Sequence, residues 1–310
     1  MPEISHVIKE KTTPDFRLDR YVSEILHLFS RSQIKVRNVR AKINGKDAKL
    51  SRFVKCNDLL ELSWDDSLPD YIIPQDIPLD VIYEDERCVV INKAQGMVVH
   101  PGAGNRQGTL ANALYFRRLN KGICEEKENL RPGIVHRLDK DTSGVIIAAY
   151  NEEAHAFLAQ QFKTRKVRKT YIAIIQGALK ENTGRIETFI SRDPGDRRRF
   201  SVSGSGKNAV TFFKAVKIWK NYSLVMLRPK TGRTHQLRVH LKYLGNPVLG
   251  DIIYGGNDKL FPYAGLMLHS MRLEITLPCE SQQRIFISDI PQRFKDIIDK
   301  LNLSEGGHEK

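Results

Sequence analysis

The nine residues His136-Arg137-Leu138-Asp139-Lys140-Asp141-Thr142-Ser143-Gly144 carry two acids, three bases and two hydroxyls. A carboxylate in such a set could act as a nucleophile or stabilise a developing positive charge. His136 could act as a base or position the loop by a hydrogen bond. Pro132 and Gly133 break the chain just before this set, and Val145-Ile146-Ile147-Ala148-Ala149 reads as a buried strand just after it. The polar cluster is therefore a loop feeding a strand, where a rigid scaffold can hold reactive groups at a cleft. Spacing does not separate Asp139 from Asp141, because two residues on an extended loop can share a face. The same stretch would also suit a solvated turn closed by a His–Asp hydrogen bond, so the rest of the chain must decide.

Arg168-Lys169-Thr170-Tyr171 leads into the strand-like run Tyr171-Ile172-Ala173-Ile174-Ile175, and Thr231-Gly232-Arg233-Thr234-His235-Gln236-Leu237-Arg238-Val239-His240 forms a turn into a polar element. By residue type alone, a strand tyrosine such as Tyr171 is more often core than catalytic. His235 and His240 are expected to point to opposite faces of an extended element, so no zinc site is expected there. Cys56, Cys88, Cys124 and Cys279 are isolated, with no C-x-x-C pair.

The elements that must position these residues fall into two blocks. At 310 residues the chain is long enough for two domains, and its 41% hydrophobic and 28% charged content is ordinary for a folded protein. A net charge of +14 favours a polyanionic partner. Residues 30–55 hold nine basic residues against one acid, and residues 163–169 hold five more. No apolar run approaches a membrane span, and the polar N-terminus lacks a signal-peptide core, so a cytoplasmic protein with reduced thiols and no membrane partner is expected.

Taken in order, residues 1–14 read as a loose tail. Residues 15–64 read as a small α/β module: a helix from Phe16 to Phe29, a basic helix from Ser30 to Val39, a tight turn at Ile43-Asn44-Gly45-Lys46, and a second hairpin at 54–62. Residues 65–80, with Pro69, Pro74 and Pro78, suit a linker. Residues 81–302 are strand-rich, with helices after Thr109, after Asn151 and at 291–301, an irregular excursion at 184–208, and a polar tail at 303–310. Without a regular βαβ alternation, the expected class is α+β with a largely antiparallel mixed sheet.

Two resemblances emerge from these motifs. Arg17-Leu18-Asp19, Ser30-Arg31-Ser32-Gln33-Ile34 and Ile43-Asn44-Gly45-Lys46 resemble the S4 RNA-binding domain. That resemblance implies a basic helix pair, with Arg31, Lys35 and Arg37, lying against RNA phosphates. Asn92-Lys93 with His100-Pro101-Gly102, then the 132–144 stretch, then Arg168 to Tyr171, then Thr231 to His240 with Gly250-Asp251 and Leu268-His269, resemble the RluA family of RNA pseudouridine synthases. One departure is Ala94, where the family usually has proline.

The resemblance implies isomerisation of uridine in RNA, with large-subunit ribosomal RNA or a ribosome-assembly intermediate as partner. The uridine atoms are conserved, so no cofactor or metal is expected. It assigns the carboxylate to Asp139 and pairs it with Arg238 or Arg233. Arg238 is the preferred partner because it lies within the 236–238 element rather than at the turn. The same resemblance has Tyr171 stack on the target base, Arg137 fill the gap left by a flipped nucleotide, and Leu268 line the pocket. His136 and Arg233 are placed beside the RNA, and a monomer is the default. Two rivals differ in class. A protein-kinase catalytic loop shares the His-Arg, but there Asp follows Arg directly, whereas Leu138 intervenes here. A ribosome-assembly factor with an inactive second domain would bind RNA without chemistry, and the intact Asp139, Tyr171 and Arg238 set argues against it.

Overall fold

Asn44 and Gly45 both take positive φ, 53° and 75°, which is the turn geometry that closes a two-residue hairpin. They join β2 (Arg40–Ile43) to β3 (Lys46–Ala48), and β2 also pairs with β4 (Leu59–Ser63). A computed structural model of the chain describes residues 2–9, 16–29, 34, 37–65, 72–102, 104–123, 133–196 and 198–306. The chain divides into Met1–Tyr71 and Ile72–Lys310.

In the first unit, three expectations change. Residues 3–7 are not a loose tail but a strand, β1 (Glu3–Val7), antiparallel to β4. Its side chains are mostly exposed, so backbone hydrogen bonds rather than an apolar pattern hold it. The first helix is short: α1 (Leu18–Arg20) runs into a π-helical turn, Tyr21–Ile25. Leu18, Tyr21 and Val22 are buried, but Ile25 is exposed and His27 takes a φ of +50°, which ends the helix. Most of the second, basic helix lies outside the described residues, as do Arg31 and Lys35. Arg37 is described and is buried, its guanidinium 5.2 Å from the Phe29 ring centroid. Packed in this way it belongs to the unit's interior rather than to an exposed phosphate-binding face.

The second unit is built on one sheet in the order β10-β9-β11-β12-β8-β13-β7-β6-β5, with β14 added beside β13. Its elements are β5 (Asp80–Glu84), β6 (Cys88–Lys93), α2 (Leu110–Asn120), β7 (Ser143–Ala149), α3 (Glu152–Lys163), β8 (Arg168–Gln176), β9 (Thr183–Arg192), β10 (Phe200–Ser203), β11 (Lys207–Ile218), β12 (Tyr222–Pro229), α4 (Gln236–Tyr243), β13 (Leu268–Thr276), β14 (Gln283–Ile287) and α5 (Gln292–Gly306). Every neighbouring pair is antiparallel except β13 with β7, so the class is α+β with a largely antiparallel sheet. Among the described residues no helix is long and apolar enough to cross a membrane.

The caps expected from sequence form: the Thr109 side chain accepts from the Asn112 amide, and that of Asn151 from the Ala154 amide. The region 184–208 is not irregular. Most of it forms β9, β10 and the start of β11, because Ile186 and Ile190 bury on one face at strand spacing that intervening glycines and arginines obscure. α5 continues to Gly306, past the expected boundary at 302.

β7 carries the polar loop into the core. Ile146 and Ala148 face one apolar cluster; Val145, Ile147 and Ala149 face another. A continuous apolar run is thus buried on both faces. Each fully buried Ile or Val contributes about 1.5–3 kcal/mol, so the loop ahead of β7 has a rigid anchor. Where β7 meets β13, His269 pairs with Ser143 and Ser270 with Gly144. Gly144 takes a φ of +110°, and a Cβ there would lie 2.2 Å from the Ser270 carbonyl oxygen. Gly144→Ala is therefore expected to cost ~2–4 kcal/mol, read as a lowered denaturation midpoint. An unchanged midpoint would show that the parallel pairing is dispensable.

Candidate active site

Asp139 and Asp141 lie in the same loop, but the structure separates them. Asp139 lines a cavity of about 100 Å³, whereas Asp141 is exposed and does not line it. The Thr142 amide donates to the Asp139 carbonyl, closing the turn that sets them apart. Lys93, at the end of β6, is 1% exposed and drives its ammonium into three carbonyls, those of Ala94, Met97 and Lys140. Lys140 directly follows Asp139, so a buried cation holds the loop from below. Burial lowers the Lys93 pKa to about 8, with Asp141 and Asp139 opposing the shift.

Arg238 is the counter-charge. Its Nη1 lies 3.4 Å from Asp139 Oδ2, while its Nε and Nη2 each sit 2.7 Å from the two oxygens of Asp251. The Asp251 side chain is 0% exposed. One face of the guanidinium thus makes a bidentate pair with a buried carboxylate, which leaves Nη1 to reach the cavity. Arg233 is not a partner of Asp139. Its Nε donates to the Asn208 carbonyl and its amide to Gln236 Oε1.

Residues 236–243 are helical, which corrects the expected extended element. His240 is buried and bonds to Thr188 Oγ1 and Thr211 Oγ1 at 3.1 and 2.9 Å. Burial lowers its pKa to about 4. No group of metal-ligating side chains occurs among the described residues. His235 precedes α4 in a left-handed conformation, φ 56°, that few non-glycine residues adopt. Its Nδ1 lies 2.8 Å from Tyr254 Oη, which already accepts from the Phe200 amide. With the Tyr254 O–H donating to His235 Nδ1 all three groups are satisfied, and the neutral imidazole then carries its own proton on Nε2, on a ring that lines the cavity.

Tyr171 lies on β8, 7% exposed, and it lines the same cavity with Leu138 and Leu268. Burial raises its phenol pKa above the ordinary value. A hydrogen bond from Ser270 opposes the rise and Asp139 adds to it, so the phenol is protonated at neutral pH. Arg137 is exposed and lines both this cavity and an adjoining groove. His136 does not act as an RNA contact through Nε2, which accepts from the Ile147 amide at 3.1 Å. Its ring stacks on Phe162, centroids 4.4 Å apart. Burial lowers its pKa to about 3, with the Lys169 charge adding to the effect, so it is a neutral positioner of the loop on β7.

Of the residues singled out from the sequence, the structure brings Asp139, Tyr171, Arg238, Arg137, Arg233 and Leu268 to one cavity. Sequence reading assigns no role to Asp251, Lys93 or His235. A charge at the end of an apolar run, as at Lys93, and the Gly250-Asp251 pair are the sequence signals available for the first two.

One carboxylate is counter-charged and set beside a buried tyrosine, under a rim of arginines. The chain belongs to the RNA pseudouridylate synthase family, whose family model matches residues 87–243, and within it to the RluA group. "Ribosomal large subunit pseudouridine synthase D" of Borreliella burgdorferi is 47% identical over 93% of this chain and 92% of its own length. An "Uncharacterized RNA pseudouridine synthase" of Aquifex aeolicus is 38% identical over 96% of this chain and 98% of its own. Among solved structures, Human RNA Pseudouridylate Synthase Domain Containing 4 superposes with a TM-score of 0.58 at 27% identity, covering 72% of this chain and 93% of that one. The protein is an RNA pseudouridine synthase, an isomerase.

Proposed function

We propose that the protein converts uridine to pseudouridine in large-subunit ribosomal RNA, using Asp139 as nucleophile. The observation that carries the mechanism is the placement of Asp139 alone, of the two loop carboxylates, in the cavity beside Arg238. The substrate class rests on the Borreliella burgdorferi relative, named for the ribosomal large subunit. Asp139 attacks the sugar C1′, the N1–C1′ bond breaks, and its electron pair leaves with the uracil. The base rotates about its own plane. C5 then bonds to C1′, displacing Asp139; the C5 proton is lost and N1 gains one. No atom or electron is added overall. Tyr171 stacks on the extruded base, Leu268 packs its edge, and Arg137 occupies the place the nucleotide leaves. Unmodified large-subunit ribosomal RNA transcript is the test, with pseudouridine mapped by carbodiimide-dependent reverse-transcription stops. Conversion at one or a few positions is expected. Conversion confined to another RNA would reassign the substrate, and none in any RNA would overturn the proposal.

In the same reading the first unit, Met1–Tyr71, is an S4-like module that supplies RNA affinity and no chemistry. Deleting residues 1–71 is expected to weaken binding to that transcript and flatten its salt dependence. Equal binding by the truncated protein at every salt concentration argues against this role.

Tyr171 yields a sharper comparison. Stacking needs the ring, and proton transfer needs the hydroxyl. Tyr171→Phe should bind RNA within a few-fold of the parent, whereas Tyr171→Ala should lose about 1–3 kcal/mol, the worth of one stacked base. Equal losses of binding in the two variants would exclude stacking.

A further inference from the structure

Beside the catalytic cavity runs a groove of about 390 Å³ whose lining contains no carboxylate. Arg137, Lys163, Arg165, Lys169, Lys230 and Arg233 line it, from the loop before β7, the end of α3, the start of β8 and the β12–α4 turn. None of these six side chains forms an ion pair among the described residues. Cations at a helix C-terminus can simply answer its dipole, which would account for Lys163 and Arg165. Lys169, Lys230 and Arg233 have no such helix end to answer.

Lys169 is the odd member. It is two residues before Tyr171 on β8 and lines both the groove and the catalytic cavity. Its ammonium sits 5.9 Å from the Phe162 ring centroid, and burial lowers its pKa. A desolvated ammonium without a carboxylate is an incomplete pair, and an anion would complete it. Gly232 keeps the junction between groove and cavity open. A Cβ there would meet only Lys169 Nζ, at 3.6 Å.

We propose that this groove carries the RNA strand adjoining the target nucleotide, and that Lys169 binds the backbone phosphate nearest the flipped uridine. The inference rests on the RNA-modifying reading above and adds a path for the strand. It assigns positioning residues, not a chemical role: the groove sets where along the strand the cavity closes, by contacts to phosphate that are blind to base identity. A polyanion fits because six cations face one groove. Phosphates recur along a strand at a spacing that several side chains can meet together.

The test uses full-length protein and unmodified large-subunit ribosomal RNA transcript. Single-turnover conversion is followed against enzyme concentration, and filter binding is measured at several KCl concentrations. Lys169→Gln should raise the half-saturating concentration about tenfold. It should also reduce the slope of log affinity against log salt by roughly 0.7–0.9, one phosphate's worth, with the limiting rate within about threefold. Lys169→Arg should restore most of the affinity. The surface pair Lys163→Gln with Arg165→Gln, which cannot disturb the core, should lower affinity and slope in the same direction. Lys295→Gln, exposed on α5, is the control and should change neither. Unchanged affinity and salt slope in both groove variants would overturn the inference. So would a loss confined to the limiting rate, which would move Lys169 into the chemistry. Should the parent protein convert no uridine, the enzymatic proposal falls, and the filter-binding arm still decides the groove.

Discussion

Asp139→Asn is expected to reduce pseudouridine formation by at least about 10³-fold while leaving RNA binding within a few-fold. Asparagine matches the carboxylate in shape and can still accept a hydrogen bond from Arg238. It cannot attack a sugar carbon as an anion. Asp141→Asn supplies the contrast. That side chain is exposed and outside the cavity, and its charge opposes the lowering of the Lys93 pKa. Its loss should leave turnover within about tenfold, consistent with a weakened loop rather than a missing reactant. Single-turnover rates on one RNA transcript, with filter binding in parallel, decide between the two carboxylates. Robust conversion by Asp139→Asn would sink the mechanism, whatever the other variant shows.

The second large effect concerns Arg238. Its guanidinium serves two acids at once, a buried pair with Asp251 and a longer contact to Asp139. Arg238→Met removes the counter-charge from both. Leaving Asp251 buried and unpaired should destabilise the fold by about 3–5 kcal/mol, and turnover should fall at least about 10²-fold. Asp251→Asn leaves the arginine charged but loosens its orientation, so it should lower turnover less than Arg238→Met. The double variant discriminates between the two roles of the pair. Removing the uncompensated charge should recover much of the lost stability, since isosteric neutral replacement of a buried pair is often tolerated. Turnover should not recover, because Asp139 still lacks its partner. Thermal unfolding and single-turnover kinetics on the three proteins give both readouts. Recovery of activity with stability would mean that Arg238 acts only through the fold.

Much of the site is legible without coordinates because its determinants are local. The Asn44-Gly45 turn and the Thr109 and Asn151 caps are hydrogen-bonded geometries confined to a few consecutive residues, so residue type alone specifies them. The polar loop ahead of a continuous apolar run is local in the same sense. Reading β7 as buried requires only counting apolar neighbours, and the family motifs then select Asp139.

Other features depended on tertiary structure. Arg238 finds Asp251 across 13 residues of sequence and Asp139 across 99, and no spacing rule anticipates which acid it grips with two nitrogens and which with one. Residues 184–208 look irregular in isolation, and pairing between β9 and β11 makes them strands. The 236–243 segment is helical because Leu237 and Leu241 pack into the core on one face while Arg238 turns to the cavity, a choice made by burial against the sheet. Lys93 ends an apolar run, and only the fold shows its ammonium placed beneath the 136–144 loop, where three carbonyls replace the water it has lost. The local turns, the caps and the polar loop follow from residue type, since their energies come from neighbours along the chain. Which acid is counter-charged, what clamps it and which histidine is neutral were decided only when distant segments excluded water together, because desolvation and charge pairing depend on distance in space.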